Sequence, residues 1–167
     1  MEYTSQASDS EAGLDEVDTL LLSRLMRDGR ATWSDLAVDV GISAPAVAHR
    51  VRRLVEQGVI RQFAAWVEPA ALAPVTAFVT VQLGDARRHD EFRERVGKLD
   101  AVQECHLVSG DGGYLLKVRE RSLERLARLV HAVLPELAGP CRTTTTLVLQ
   151  QIKESPVLPL YEDPAEA

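Results

Sequence analysis

The side chains best suited to chemistry in this sequence lie between Ser43 and Gln57, where a histidine and three arginines follow a run of small residues. Guanidinium groups donate hydrogen bonds to guanine edges and to phosphates, and small residues allow the backbone of a helix to approach the bases. The segment therefore predicts a helix that enters the major groove of DNA. The side chains predicted to contact DNA from this helix are Ser43, Ala44, Pro45, Ala46, His49, Arg50 and Arg53.

Capping signals on both sides of a short turn predict the two helices that position these side chains. Thr32 is a candidate N-cap, which Asp35 completes three residues later. Gly41 stands where a left-handed residue ends a helix, and Ser43 caps the next helix. The pair forms the helix-turn-helix pattern. Two residues at the start of its first helix are further candidates for contact with DNA: Thr32 and Trp33.

Apolar spacing along the second helix predicts which of its sides is buried. Four residues at i, i+4, i+7 and i+8 are predicted to form one buried stripe: Val47, Val51, Leu54 and Val55. Arg50 and Arg53 are predicted to share the opposite side, with Arg52 about 100° from its centre. An amphipathic helix whose arginines only face the solvent is the alternative interpretation of the same pattern.

A helix precedes this pair, and a β-prone segment follows it. The first helix is predicted over Leu14–Arg27, with Asp15 as N-cap and Asp18 in the first turn. Its predicted buried residues are Leu14, Val17, Leu21 and Leu25. The segment VIRQFAAWV, residues 59–67, predicts a wing or a linker strand. The predicted order is a disordered acidic tail, a winged helix-turn-helix domain and a linker: residues 1–13, 14–65 and 66–74.

The distribution of charge favours a nucleic-acid partner more than the total does. The net charge is −6, but residues 1–13 carry −3 and residues 154–167 carry −4. Residues 43–61 hold four arginines against the single acid Glu56, which gives +3. Because salt limits electrostatic attraction to about 8–10 Å, a local basic patch matters more than the overall charge.

The second half has a strand rhythm interrupted by two helical stretches. Its predicted elements are a strand at Val75–Leu83, a helix at His89–Leu99, strands at Val102–Val108 and Tyr114–Val118, a helix from Ser122 that Pro135 ends, and a strand at Arg142–Ile152. This β-α-β-β-α-β order predicts a ferredoxin-like domain over residues 75–153 and an α+β fold class for the chain. A C-terminal tail is predicted at residues 154–167.

Several classes of protein and site are not expected. No run of 18 apolar residues is present, and the N-terminus lacks the features of a signal peptide, so a cytoplasmic protein is predicted. Cys105 and Cys141 do not form a C-x-x-C pair. No metal site is expected, because Cys105 and His106 are neighbours on a strand and point to opposite faces. No cofactor and no catalytic residues are expected, since no nucleophile and base accompany Asp111.

Both halves together resemble the Lrp/AsnC family of regulators, also called feast/famine regulatory proteins. LDEVDTLLLSRLMRDGR resembles the opening helix of the family, and GISAPAVAHRVRRLVEQGVI resembles its turn and recognition helix. In the second half, QECHLVSGDGGYLLKV resembles the central strand–turn–strand motif. The resemblance implies a DNA-binding regulator that forms homodimers, often octamers, and responds to an amino acid.

The resemblance also implies the position of an effector site between dimers. By position, the effector-binding residues are Leu107, Gly110, Asp111, Gly112, Gly113, Thr146 and Val148. Family members often have an aromatic residue and then an acid where this chain has Gly112-Gly113. The missing acid removes a candidate partner for the ammonium group of an effector. Paired glycines instead expose backbone N–H groups that could hold a carboxylate. The alternative interpretation is that residues 110–113 are only a hairpin turn.

Two other functions remain open from the sequence. Some haem-pathway decarboxylases resemble this family in fold and bind a tetrapyrrole, so an enzyme is the first alternative. A sensing and oligomerisation module without DNA binding is the second. The pattern of arginines from Ser43 to Gln57 argues against both.

Overall fold

The computed structural model describes residues 13–110 and 113–160. They form two compact units, one that ends at Trp66 and includes the segment from Lys153 on, and one from Val67 to Ile152. No helix in these described ranges is both long enough and apolar enough to cross a membrane. Apart from Gly13, the predicted disordered tail lies outside the described residues, and so do residues 161–167 of the predicted C-terminal tail.

Three helices build the first unit: α1 (Glu16–Arg27), α2 (Trp33–Val40) and α3 (Ala44–Glu56). The predicted caps are confirmed, because the side chains of Asp15, Thr32 and Ser43 each accept a hydrogen bond from a backbone N–H three residues later. Gly41 ends α2 in the left-handed conformation, with φ of 70°. Local chemistry thus sets the start of all three helices and the end of α2.

The core of the first unit is smaller than predicted. Its fully or nearly fully buried residues are Leu21, Leu25, Leu36, Val47, Val51 and Leu54. Leu14 and Val55 were predicted to be buried, but they are 39% and 43% exposed, and Val17 is only partly buried. Leu14 precedes the cap of α1, so its side chain does not follow the helical stripe. Val55 lies about 100° around the helix from Leu54, which turns it away from the core.

No strand forms in the segment 59–67, so the predicted wing or linker strand is wrong for this chain. Phe63, Trp66 and Val67 are at least half exposed. A strand needs a partner for its backbone N–H and C=O groups, and no element of the described chain pairs with this segment. A β-prone composition is therefore not enough to make residues 59–67 a strand.

The second unit places helices on one face of a four-stranded antiparallel sheet. After the single turn α4 (Pro69–Leu72), its elements are β1 (Val75–Leu83), α5 (His89–Val96), β2 (Val102–Val108), β3 (Gly113–Glu120), α6 (Leu123–Arg128), α7 (Leu134–Ala138) and β4 (Cys141–Leu147). The strand order is β2-β3-β1-β4. The predicted ferredoxin-like order of strands and helices is confirmed.

Alternation along the two central strands separates a buried face from an open face. On β1 the buried residues are Ala77, Val79 and Val81, and on β3 they are Tyr114, Leu116 and Val118. They pack against Phe92 and Val96 of α5 and against the helical segment that follows β3. Phe78 of β1 points to the other face and is 38% exposed. One face of the sheet is thus covered within the chain.

Pro135 does not end the helix that begins after Ser122, contrary to the prediction. A π-helical turn, Leu129–Val133, joins α6 to α7, and Pro135 falls in the first turn of α7. The wider turn admits a residue without an N–H at little cost, and it rotates the buried face. Leu137 and Ala138 beyond the turn are buried, as is Leu129 at its start, whereas Leu123 and Ala127 before it are exposed.

The last strand ends at Leu147, five residues before its predicted end. The N–H of Val148 still donates to the Thr76 carbonyl at 2.9 Å. The strand that pairs with β4, β1, begins at Val75, so the chain beyond Val148 has no strand to pair with. Leu149 and Ile152 are more than four-fifths exposed there.

Candidate DNA interface and effector site

The solvent-facing side of α3 is a stripe formed by Pro45, His49, Arg52 and Glu56, all four of which are exposed. At about 100° per residue these four positions fall within about 60° of one another. The stripe lies opposite the buried Val47 and Leu54. Arg52, which was predicted to lie off the centre of the outward side, is therefore within it.

Arg50 and Arg53 do not project freely from α3, which corrects the prediction that they share its outward side. The Arg50 Nη1 lies 2.6 Å from Asp15 Oδ2 and 2.9 Å from Asp18 Oδ1. The Arg53 guanidinium pairs with the other oxygen of Asp18. The Arg53 Nε is buried and has no hydrogen-bond partner within the described part of the chain. We call these four side chains the Asp18 cluster.

Burial and charge in the Asp18 cluster show that it ties α1 to α3. The Asp18 carboxylate is fully buried, and a buried charge needs partners to offset the loss of hydration. Hydrogen bonds from the Asp18 backbone N–H and from Arg50 lower the pKa of Asp15. Hydrogen bonds to Asp15 and then to Asp18 raise the pKa of Arg50. The four formal charges of the cluster cancel, so the +3 of residues 43–61 is an overestimate of the charge that α3 presents.

Sequence reasoning missed Asp18 as a structural residue, although a signal was present. Asp18, Leu21 and Leu25 follow the i, i+3, i+7 spacing of a buried stripe. An acid at the first position of such a stripe predicts a cation from another element. A favourable interaction with the helix dipole accounts for only part of the role of Asp18.

The other predicted DNA-contacting residues lie at the starts of α2 and α3. Trp33 is 42% exposed in the first turn of α2. Thr32 accepts from the Asp35 N–H, and its hydroxyl donates to the Asp35 carboxylate at 2.7 Å. Of the residues around the N-terminus of α3, Ser43 and Pro45 are exposed, whereas Ala44 and Ala46 are half-buried. The surface near the start of α3 is thus formed by small side chains.

The predicted effector turn joins β2 to β3 and contains two glycines with positive φ among its described residues. Gly110 has φ of 82° and Gly113 has φ of 67°. A Cβ built on Gly113 would lie 2.6 Å from the Val81 carbonyl oxygen, whereas one on Gly110 would meet nothing within 4 Å. Asp111 and Gly112, also predicted for this site, lie outside the described residues.

The structure does not bring the remaining predicted effector residues together within one chain. Leu107 lies on the edge strand β2, opposite Tyr114, and is 48% exposed. Thr146 lies on β4, the other edge strand, opposite Phe78. Three strand spacings of about 4.8 Å separate these edges. Since Tyr114 and Phe78 point to opposite faces, Leu107 and Thr146 do too. Val148 shares the face of Thr146 by alternation.

Both halves match known protein families. A sequence model described as "AsnC-type helix-turn-helix domain" matches residues 14–55, and one described as "Lrp/AsnC ligand binding domain" matches residues 76–158. The leucine-responsive regulatory protein of Klebsiella pneumoniae is 38% identical over 145 residues, which cover 85% of this chain and 88% of that protein. The protein of the same name from Haemophilus influenzae is 37% identical over 150 residues, with 88% and 90% covered.

Solved structures give the same result for the fold. A transcriptional regulator from Neisseria meningitidis in complex with L-Met has a TM-score of 0.80 and 28% identity, with 88% of this chain and 97% of that chain covered. A feast or famine regulatory protein from M. tuberculosis, complexed with L-methionine, has a TM-score of 0.78 and 34% identity, with 84% and 95% covered.

Proposed function

This chain belongs to the Lrp/AsnC family of DNA-binding transcriptional regulators, and we propose that it reads duplex DNA with α2 and α3 and senses an amino acid with its second unit. The observation that carries the DNA part is the capped helix α3, whose exposed stripe begins among small residues. The proposed interface comprises Thr32, Trp33, Ser43, Ala44, Pro45, Ala46 and His49. Selection of duplexes from a random library by the full-length protein tests whether the protein binds DNA with a sequence preference.

The proposed effector is an amino acid, since two similar proteins were solved with L-methionine bound. We propose that the β2–β3 turn, residues 110–113, offers backbone N–H groups to its carboxylate. Leu107 supplies an apolar wall, and the Thr146 hydroxyl and the Val148 side chain supply the rest. Because Leu107 and Thr146 lie at opposite edges of one sheet, residues from two protomers must complete the site. The proposed assembly is a homodimer or a larger oligomer such as an octamer.

Substitutions on the two edge strands test this site. We expect Leu107→Ala and Thr146→Val each to weaken amino-acid binding by about fivefold to tenfold, the equivalent of one lost hydrogen bond or a partly lost apolar contact. Calorimetry of the full-length protein with L-methionine and L-leucine measures the effect. Thr144→Val is the matched control, because Thr144 shares the strand and the face of Thr146.

This experiment and a melting-temperature screen of the twenty amino acids can contradict different parts of the proposal. Unchanged affinity in both variants would place the site elsewhere in the protein. If none of the twenty amino acids shifts the melting temperature of the wild-type protein, the sensing function is lost and the DNA-binding function stands.

The assembly gives a separate prediction. Light scattering of the full-length protein at micromolar concentration should show a dimer or a larger species. A bound amino acid can change this distribution only if it binds one arrangement better than another. A monomer that still binds the amino acid would contradict a site shared between protomers.

We propose further that the chain acts in the cytoplasm as a regulator without catalytic activity. The competing function, tetrapyrrole decarboxylation, has a direct test. Addition of an iron tetrapyrrole should leave the absorbance spectrum of the tetrapyrrole as it is in buffer, and a shifted absorbance band would favour the enzyme.

A further inference from the structure

We propose that Arg52, supported by His49, makes the base contacts of α3, and that Arg50 and Arg53 are positioning residues that hold α3 in place through Asp18. This division of roles rests on the proposed DNA binding and specifies which side chains perform it. It reverses the roles that the sequence pattern assigns to the three arginines.

Orientation on the helix supports Arg52 first. Arg52 and His49 lie about 60° apart in projection, on the side of α3 directly opposite the buried Val47 and Leu54. Both side chains are exposed, and neither makes a hydrogen bond or an ion pair within the described part of the chain. The side of a recognition helix that faces away from its own core is the side that enters the groove. Arg52 and His49 are therefore the polar donors available there.

The charge balance of α3 gives a second, independent argument. Arg50 and Arg53 are offset by Asp15 and Asp18, at the distances of direct ion pairs. Of the three arginines of α3, only Arg52 makes no ion pair within the described residues, although the exposed Glu56 lies one turn away on the same side. Attraction to phosphates and bases follows uncompensated charge, so the contribution of the Asp18 cluster is small.

The cost of releasing Arg50 or Arg53 points the same way. Either guanidinium must leave a fully buried carboxylate in order to reach a base edge. Loss of one partner of a buried ion pair costs on the order of 10²–10³-fold in an equilibrium constant. A good bidentate contact to guanine returns only about tenfold to a hundredfold. The exchange is therefore unfavourable for the paired arginines, whereas Arg52 has no ion pair within the described residues to give up.

The chemistry expected of Arg52 is bidentate donation to O6 and N7 of a guanine in the major groove. His49 lies one turn closer to the start of the helix, where it can hydrogen-bond a neighbouring base edge. The half-buried alanines at the start of α3 allow this approach. We therefore expect sequence preference to depend on Arg52 and helix placement to depend on the Asp18 cluster.

Variants of the full-length protein on one duplex test this division. The probe is a fluorescent duplex selected from a random library by the wild-type protein, measured by anisotropy at several salt concentrations. Arg52→Ala should weaken binding by about tenfold to a hundredfold and relax the preference for a guanine, with an unchanged melting temperature. Arg52→Lys should not restore that preference, because a lysine cannot make the bidentate pair. Arg128→Ala, which removes one exposed charge from α6, should change neither property.

Arg53→Gln completes the test. The Arg53→Gln variant should have a lower melting temperature. Below that temperature its affinity for the duplex should stay within about threefold of wild type, and the slope of its salt dependence should be unchanged. Wild-type affinity in Arg52→Ala would overturn the proposal, even if Arg53→Gln does not fold. A folded Arg53→Gln that loses clearly more than threefold in affinity would overturn the positioning role. Failure of the wild-type protein to select any duplex would instead refute the proposed DNA binding itself.

Discussion

Asp18→Asn is expected to lower the free energy of unfolding of the first unit by about 3–5 kcal/mol, the effect of breaking a buried ion pair. The asparagine keeps the size of the side chain but leaves two guanidiniums beside a neutral group. Because Asp18 is fully buried, water cannot reach its position to accept the hydrogen bonds that the two guanidiniums donate there. An effect of this size is a large fraction of the stability of a small domain.

Urea denaturation of the full-length protein, followed by tryptophan fluorescence, measures this effect. Both tryptophans, Trp33 and Trp66, belong to the first unit, so their emission reports its unfolding. Asp15→Asn is the matched control: Asp15 also pairs with Arg50, but its side chain is 51% exposed, and the loss should be much smaller. Equal losses in the two variants would show that burial of Asp18 is not what makes the cluster strong.

The helices and strands of this chain were predictable because their signals are local. Asp15, Thr32 and Ser43 each cap a helix within three residues, and alternation along β1 shows its buried face directly. The strand at residues 59–67 failed for the opposite reason. Its stability depends on a partner strand, which composition does not supply.

The sequence predicts which helix contacts DNA, but it does not predict which of the arginines on that helix are free to do so. The pattern of α3 gives its amphipathic character, but its exact rotation depends on whether Val55 is counted as buried. Including Val55 shifts the predicted outward side away from Arg52 and towards Arg53. The partners of Arg50 come from α1 and its N-cap, 32 and 35 residues earlier, so no local pattern contains them.

The predicted effector residues show a similar limit. The glycines of residues 110–113 predict a turn, and the described residues on either side of it end β2 at Val108 and begin β3 at Gly113. Position along the chain does not show that Leu107 and Thr146 lie at opposite edges of the sheet, since that follows from the strand order. A role for both in one site therefore depends on contact between protomers.

Gly113→Ala is expected to lower the free energy of unfolding of the second unit by about 2–5 kcal/mol, from a left-handed backbone and a steric clash together. Gly113 has φ of 67°, and an added Cβ would lie 2.6 Å from the Val81 carbonyl oxygen. Because Val81 belongs to the central strand β1, relief of the clash must separate β1 from β3 at the start of their ladder.

Gly110→Ala separates the two causes, since Gly110 has φ of 82° but open space around its Cβ position. We expect it to cost only about 1–2 kcal/mol, the price of the left-handed backbone. Circular dichroism during urea denaturation of the full-length protein measures both variants, with the tryptophan signal to identify the first unit. Equal losses would mean that the close approach to Val81 does not constrain position 113. A larger loss for Gly113→Ala means that a fall in amino-acid binding in Gly113 variants cannot be separated from distortion of the sheet, so Leu107 and Thr146 are the positions at which effector contact can be tested.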